Sequence, residues 1–235
     1  RSYKQSMKNK ILLCFYRDWG ARISDTLIER LSKKYEFYTA RHTRELEALN
    51  SSVNFDLIFF IGWSWIIEKK ILDSSFCICM HPSPLPRYKG GSPIQNQIIK
   101  GEKESAVSFF KMTEKIDAGP IISSYPFSLE GSLDDIFGRI EKQCIKHIPS
   151  IIEQFTANKF SLSEQNLDDS TYFKRRTPDE SEIKVEDISR FPASYFYNKI
   201  RMLQDPYPNA YIKCKNNTKL FITRSHGSDY ISPRR

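Results

Sequence analysis

The sequence predicts an α/β fold on three observations. Residues 10–16 (KILLCFY) and 55–61 (FDLIFFI) are short, continuously apolar runs of the kind that form buried parallel strands, and residues 35–40 read as a strand between them. Helical patterns separate these runs, the clearest at 21–34, where Ile23, Leu27, Ile28 and Leu31 recur on one face. Near the C-terminus the pattern changes to a helix at 194–203, a turn at Asp205-Pro206-Tyr207-Pro208, and a β-hairpin from residues 210–213 and 219–223. The expected architecture is a mostly parallel, Rossmann-like sheet with helices on both faces, plus a small β-rich C-terminal part. Residues 1–160 are assigned to the catalytic domain. Residues 161–235 are assigned to a linker, helix and hairpin, with the polar, aperiodic stretch 157–170 as the boundary loop.

A chain of 235 residues can bury a full core, and 40% hydrophobic with 27% charged residues is the composition of a soluble globular protein. No apolar run approaches the roughly 20 residues of a membrane span, and the N-terminus has no apolar signal region. Five scattered cysteines without paired spacing favour a reduced, cytoplasmic location over a disulfide framework. The net charge of +8 is spread thinly with no long basic run, which disfavours nucleic acid as partner and suits an anionic substrate. The first strand–helix turn, CFYRDWGARIS, holds one glycine, so a dinucleotide-binding loop is not supported.

The organising stretch is 77–117. Cys77, Cys79 and His81 alternate with Phe76, Ile78 and Met80, as on the two faces of a strand. Pro82, Pro84 and Pro86 end that strand at His81. A rigid loop then runs to Gly90-Gly91, with Pro93 opening a helix at 94–100 that Ser92 is expected to cap. A histidine at the carboxyl end of a strand, beside a helix N-terminus, lies where open α/β sheets keep their chemistry. Further on come a strand at 106–112, a strand at 121–127, and a helix at 132–155 that Pro149 is expected to kink or split.

HPSPLPRYKGGSPI, followed by a strand and then by Asp117-Ala118-Gly119, resembles the signature of the folate-dependent formyltransferases. A dozen ordered matches fall within some forty residues. The segments YFKRRTPDESEI and YNKIRMLQDPYPNAYI are similar to the region where methionyl-tRNA formyltransferase and the nucleotide-sugar formyltransferases leave the catalytic domain. The resemblance implies transfer of a formyl group from N10-formyltetrahydrofolate, without a metal, to a primary amine. It implies His81 and Asp117 as the proton-handling pair. For the donor it implies Trp65, Ile66 and Ile67, in a helix at 65–72, together with Thr113, Glu114, Lys115, Ile116 and Asp117. For the acceptor it implies Ser83, Lys89, Gly90, Gly91, Arg175, Arg176 and Arg201, with Lys174 as a further cation.

One departure is chemical. The family has an asparagine two residues before the histidine, aimed at the oxyanion, and this chain has Cys79, a weak donor. Losing such a donor costs on the order of 3 kcal/mol in the barrier. A binding protein with impaired catalysis is therefore one alternative. Zinc ligation by Cys77, Cys79 and His81 is disfavoured by spacing, and Cys79 as nucleophile is a second alternative. Among family members, the missing glycine loop argues against the purine-pathway substrate. The short C-terminal part argues against the methionyl-tRNA enzyme, which stays the runner-up. The expected acceptor is a nucleotide-linked amino sugar, a 4-amino-4,6-dideoxyhexose bound for a surface polysaccharide such as the lipopolysaccharide O-antigen. Tyr195, Tyr197, Tyr207 and Tyr211 suit a homodimer interface and suit a core equally well.

Overall fold

The computed structural model describes residues 8–226. Its centre is a six-stranded sheet built from β1 (Lys10–Cys14), β2 (Glu36–Ala40), β3 (Leu57–Ile61), β4 (Phe76–His81), β6 (Glu104–Lys111) and β7 (Ile121–Ser128), in the order β2-β1-β3-β4-β6-β7. The first four run parallel, and β6 and β7 are antiparallel to their neighbours. The period of two divides the apolar runs cleanly between the two faces. Ile11, Leu13, Leu57, Phe59, Ile61, Ile78 and Met80 enter one core, while Leu12, Cys14, Ile58, Phe60 and Cys77 enter the other. The first core lies under α1 (Asp18–Leu31), α4 (Pro93–Ile99) and α5 (Leu133–Thr156), and the second under α2 (Thr43–Ser52) and α3 (Lys69–Ser74).

Local chemistry moves several boundaries. Helix α1 begins at Asp18, an acidic residue suited to the first turn. The expected helix at 65–72 starts only at Lys69. Trp65, Ile66 and Ile67 are weak helix formers, and Gly62 at φ +65° turns the chain into an open loop. Ser92 does not cap α4 with its side chain. It sits at φ +48°, and its hydroxyl accepts from the Arg176 backbone N–H at 3.1 Å. Pro149 does not split α5, whose 24 residues are continuous, capped by a Ser132–Asp135 box and anchored by buried Ile148, Ile151 and Ile152.

The stretch after α5 is more than a linker. Ser163 exchanges backbone hydrogen bonds with Ile121 at 2.8 and 2.9 Å. The two-residue strand β8 (Tyr172–Phe173) then pairs in parallel with β5 (Lys89–Gly90) in the loop that follows His81. Beyond it lie α6 (Ala193–Arg201) and the hairpin β9 (Ala210–Lys213) and β10 (Lys219–Ile222). Ile183, Ile200, Met202, Leu203 and Ala210 join the core beneath α4 and α5. Tyr211 is buried and Tyr207 is half-buried against that core. Among the described residues no helix is long and apolar enough to cross a membrane.

Candidate active site

A cavity of about 590 Å³ opens at the carboxyl ends of β1, β3 and β4, the edge at which parallel sheets bind ligands. His81, the last residue of β4, lies in its wall with its ring buried. Nε2 of His81 is 2.8 Å from the carbonyl of Tyr88. A carbonyl only accepts, so Nε2 carries the proton, and in the neutral ring Nδ1 keeps its lone pair. Nδ1 faces Oδ2 of Asp117 at 3.6 Å. The same oxygen accepts the Gly90 backbone N–H at 2.8 Å.

The backbone enforces this arrangement. Asp117 is held at φ +49°, a conformation that non-glycine residues seldom adopt. Two positions on, a Cβ on Gly119 would lie 1.8 Å from the Lys111 carbonyl oxygen, so only glycine lets the loop close on β6. Gly90, at φ +91°, would place a Cβ 2.3 Å from the carbonyl of Phe173. The double glycine is thus the place where the C-terminal segment crosses over the histidine loop.

Cys79 lies one residue pair before His81 and also lines the cavity. Its thiol points to the Met80 carbonyl at 3.5 Å. Burial, then Asp117 and Cys77, push its pKa well up, so the thiol stays neutral and is a poor nucleophile. Cys77 turns the same way, toward the Ile71 and Ser75 carbonyls, while the His81 ring goes to Tyr88, so the three do not converge.

The remaining expected residues divide. Trp65, Ile66, Ile67 and the loop Thr113, Glu114, Lys115 and Ile116 line the cavity, where Ile66 is 83% exposed and the Lys69–Glu114 ion pair links the two segments. Gly90, Gly91, Arg175 and Arg176 line it as well, and Arg175 donates to the Ser64 carbonyl at 3.4 Å. Ser83, Lys89 and Arg201 lie off the cavity wall. Ser83 donates to the Arg87 carbonyl at 2.8 Å, the Lys89 backbone binds Thr171, and Arg201 ties the Leu129 and Gly131 carbonyls at 2.6 and 3.1 Å. Lys174 is not among the lining residues either.

Tyr16, Arg17, Trp19, Trp63, Gln95 and Tyr207 also line the cavity, although the sequence reading assigned none of them to the site and gave Tyr207 only as turn, interface or core. For Arg17 a signal existed: it stands in the turn after the first strand, at the ligand-binding edge. Its guanidinium lies over the rings of Tyr16 and Tyr207 at 4.7 and 5.4 Å. Among the described residues, its buried Nε and the buried indole N–H of Trp63 have no hydrogen-bond partner. Both are donors without an acceptor in a concave site, an arrangement suited to a ligand's oxygen or nitrogen atoms.

Comparison with known proteins gives the family. A family model described as "Formyl transferase" matches residues 21–151. The methionyl-tRNA formyltransferase of Rickettsia africae (strain ESF-5) is 28% identical over 213 residues, covering 81% of this chain and 70% of that protein. A solved methionyl-tRNA formyltransferase from Clostridium thermocellum superposes with a TM-score of 0.83 at 29% identity, over 94% of this chain and 95% of that one. A 4-N formyltransferase from Francisella tularensis gives 0.73 at 19% identity, over 92% and 97% respectively, a likeness of fold.

Proposed function

The chain belongs to the formyl transferase family and is a folate-dependent formyl-transferring enzyme with N10-formyltetrahydrofolate as donor; on that premise we propose that its acceptor is the amine of a nucleotide-linked amino sugar. The observation that carries this reading is the cationic and aromatic part of the cavity wall, where Arg17 lies over the Tyr16 and Tyr207 rings and Arg175, Arg176 and Trp19 line the same cavity. Guanidinium groups match the oxygens of a pyrophosphate, and the aromatic rings offer faces to a base or sugar. A 4-amino-4,6-dideoxyhexose is the sugar that the sequence resemblance favours.

The apolar side of the cavity fits the donor. Trp65, Ile66 and Ile116 offer an exposed apolar shelf beside buried Ile67, and the Trp63 indole N–H stands ready for a polar edge. Bound there, the donor supplies the formyl carbon. His81 Nδ1 takes the proton that the attacking amine sheds and can deliver it to the departing nitrogen. Asp117, 3.6 Å away, stabilises the ring while it is cationic. Gly90 N–H holds the Asp117 carboxylate in place. Cys79 offers little to the negative charge developing on the formyl oxygen, because its thiol is a weak donor directed at Met80.

A second reading has its own support. The Clostridium thermocellum structure, of nearly the same extent, carries the name methionyl-tRNA formyltransferase. Incubation with N10-formyltetrahydrofolate and a panel of nucleotide-linked amino sugars, read by mass, is expected to add one formyl group to a 4-amino sugar. No product with any sugar, but formylation of methionyl-tRNA with steep salt dependence, would replace the first reading by the second.

A further inference from the structure

We propose that Gln165, in the stretch between α5 and β8, is a positioning residue for Asp117. Its side-chain amide nitrogen donates to the Asp117 carbonyl at 2.9 Å and to the Gly119 carbonyl at 2.7 Å. One NH₂ group, with two hydrogens, therefore spans the turn whose first residue bears the carboxylate. That turn needs a tether. Asp117 sits at φ +49°, a strained conformation that persists only where its surroundings enforce it. The loop 113–116 before it is mostly exposed and has few bonds of its own, the Thr113 hydroxyl to Lys115 at 3.3 Å among them.

Gln165 is itself anchored. Two residues earlier, Ser163 is bonded in both directions to Ile121 of β7, an edge strand of the sheet. Six residues later, Thr171 begins the run that grips the histidine loop. The Thr171 hydroxyl accepts from Tyr88 N–H at 2.8 Å and its carbonyl accepts from Lys89 N–H at 2.9 Å. Tyr88 supplies the carbonyl that fixes His81, and its ring stacks on Phe173 at 5.3 Å. One continuous strap thus holds the backbone partners of both His81 and Asp117. Gln165 is its only side-chain bond to the aspartate turn among the described residues. The other amide atom, Oε1, is buried without a partner, so the contact orients the side chain at a cost.

The inference rests on the reading of Asp117 as a proton-handling partner, and its test separates the two. In the full chain, Gln165→Leu keeps the side-chain bulk and removes both donors. Hydrogen exchange should quicken at the Gly90 amide, which donates to the Asp117 carboxylate, and stay unchanged in the central strands. With N10-formyltetrahydrofolate and a thymidine-diphosphate-linked 4-amino-4,6-dideoxyhexose, kcat should fall about 10²-fold with both KM values nearly unchanged, the penalty for a small misplacement. Gln165→Glu keeps the length and offers one donor only when protonated. Its rate relative to the parent should rise as pH falls, and a merely structural role would not move that ratio. Unaltered exchange at the Gly90 amide in both variants would overturn the proposal, as would exchange that quickens everywhere. If Gln165→Leu does not fold, the Gln165→Glu pH ratio decides alone, a flat ratio rejecting the proposal. Asp117→Ala is the control on the reading. Full activity there would remove the role assigned to Asp117, while the exchange result would still decide whether Gln165 holds the turn.

Discussion

Two parts of the cavity wall are built differently. The proposed catalytic part, or lobe, around His81 and Asp117 grows from β4 at the middle of the sheet and from the β6–β7 connection, and its side chains are aimed by backbone geometry: a strand end, a left-handed aspartate and glycines that admit close contacts. The arginine lobe is assembled from remote pieces, the turn after β1, residues 172–176 and the turn at 207–208, which meet only because the chain returns to the sheet. Chemistry that must be placed to a fraction of an ångström is carried by the rigid centre. The proposed recognition of the acceptor falls to segments brought to the sheet from elsewhere in the chain.

The largest expected effect breaks the catalytic lobe. His81→Ala or Asp117→Ala should lower kcat by about 10³-fold, measured as initial rates, with far-ultraviolet dichroism unchanged. Gly119→Ala should destabilise the protein by about 3 kcal/mol in urea unfolding, since its Cβ would collide with the Lys111 carbonyl rather than with a side chain that can move. Cys79→Asn should raise turnover about 10²-fold if an amide N–H can reach the formyl oxygen, and an unchanged or lower rate would show that another donor already acts there.

Smaller effects test the arginine lobe. Arg17→Ala or Arg175→Ala should raise KM for the nucleotide-linked acceptor about tenfold and leave KM for the folate unchanged. Equal effects on both substrates would mean that the lobes are not separate. The smallest effect concerns the buried thiols. Burial pushes Cys77 up to about 12 and also raises Cys14, Cys79 and Cys144. Unfolded thiols ionise near about 8.5, so the stability owed to neutral buried thiols is complete below that pH and declines as pH rises toward the folded values. Alkylation at pH 8 should label exposed Cys214 and spare the other four.

The catalytic lobe was largely legible in the sequence because its determinants are contiguous. Three prolines fix where β4 ends, and alternation fixes the face that His81 shares with Cys79. The arginine lobe was half legible. Arg175 and Arg176, implied by the resemblance, line the cavity, and Arg17 was missed although its place in the turn after β1, at the ligand-binding edge, was a signal for it. Arg201 was misjudged because its charge suggested an anion, whereas its guanidinium satisfies the carbonyls of a buried loop. The helix expected at Trp65 failed because apolar periodicity does not distinguish a helix from a loop whose aromatic rings pack edge to face, as Trp63 and Trp65 do at 4.8 Å. Residues 157–170 read as a boundary because hydrogen bonds made by a polar, aperiodic segment leave no trace in hydropathy.

The crossing of the C-terminal segment over Gly90 and Gly91 bears on how such a protein can diversify. A Cβ at Gly91 would lie 2.4 Å from the Arg175 backbone, so the residues that face the acceptor and those that grip the histidine loop are one stretch of chain, a few peptide units apart. A chimera that borrows residues 161–226 from a relative to gain a new acceptor would also import that relative's grip on the reaction centre. Acceptor choice and turnover are then inherited together, and recombination at this joint would select for matched halves.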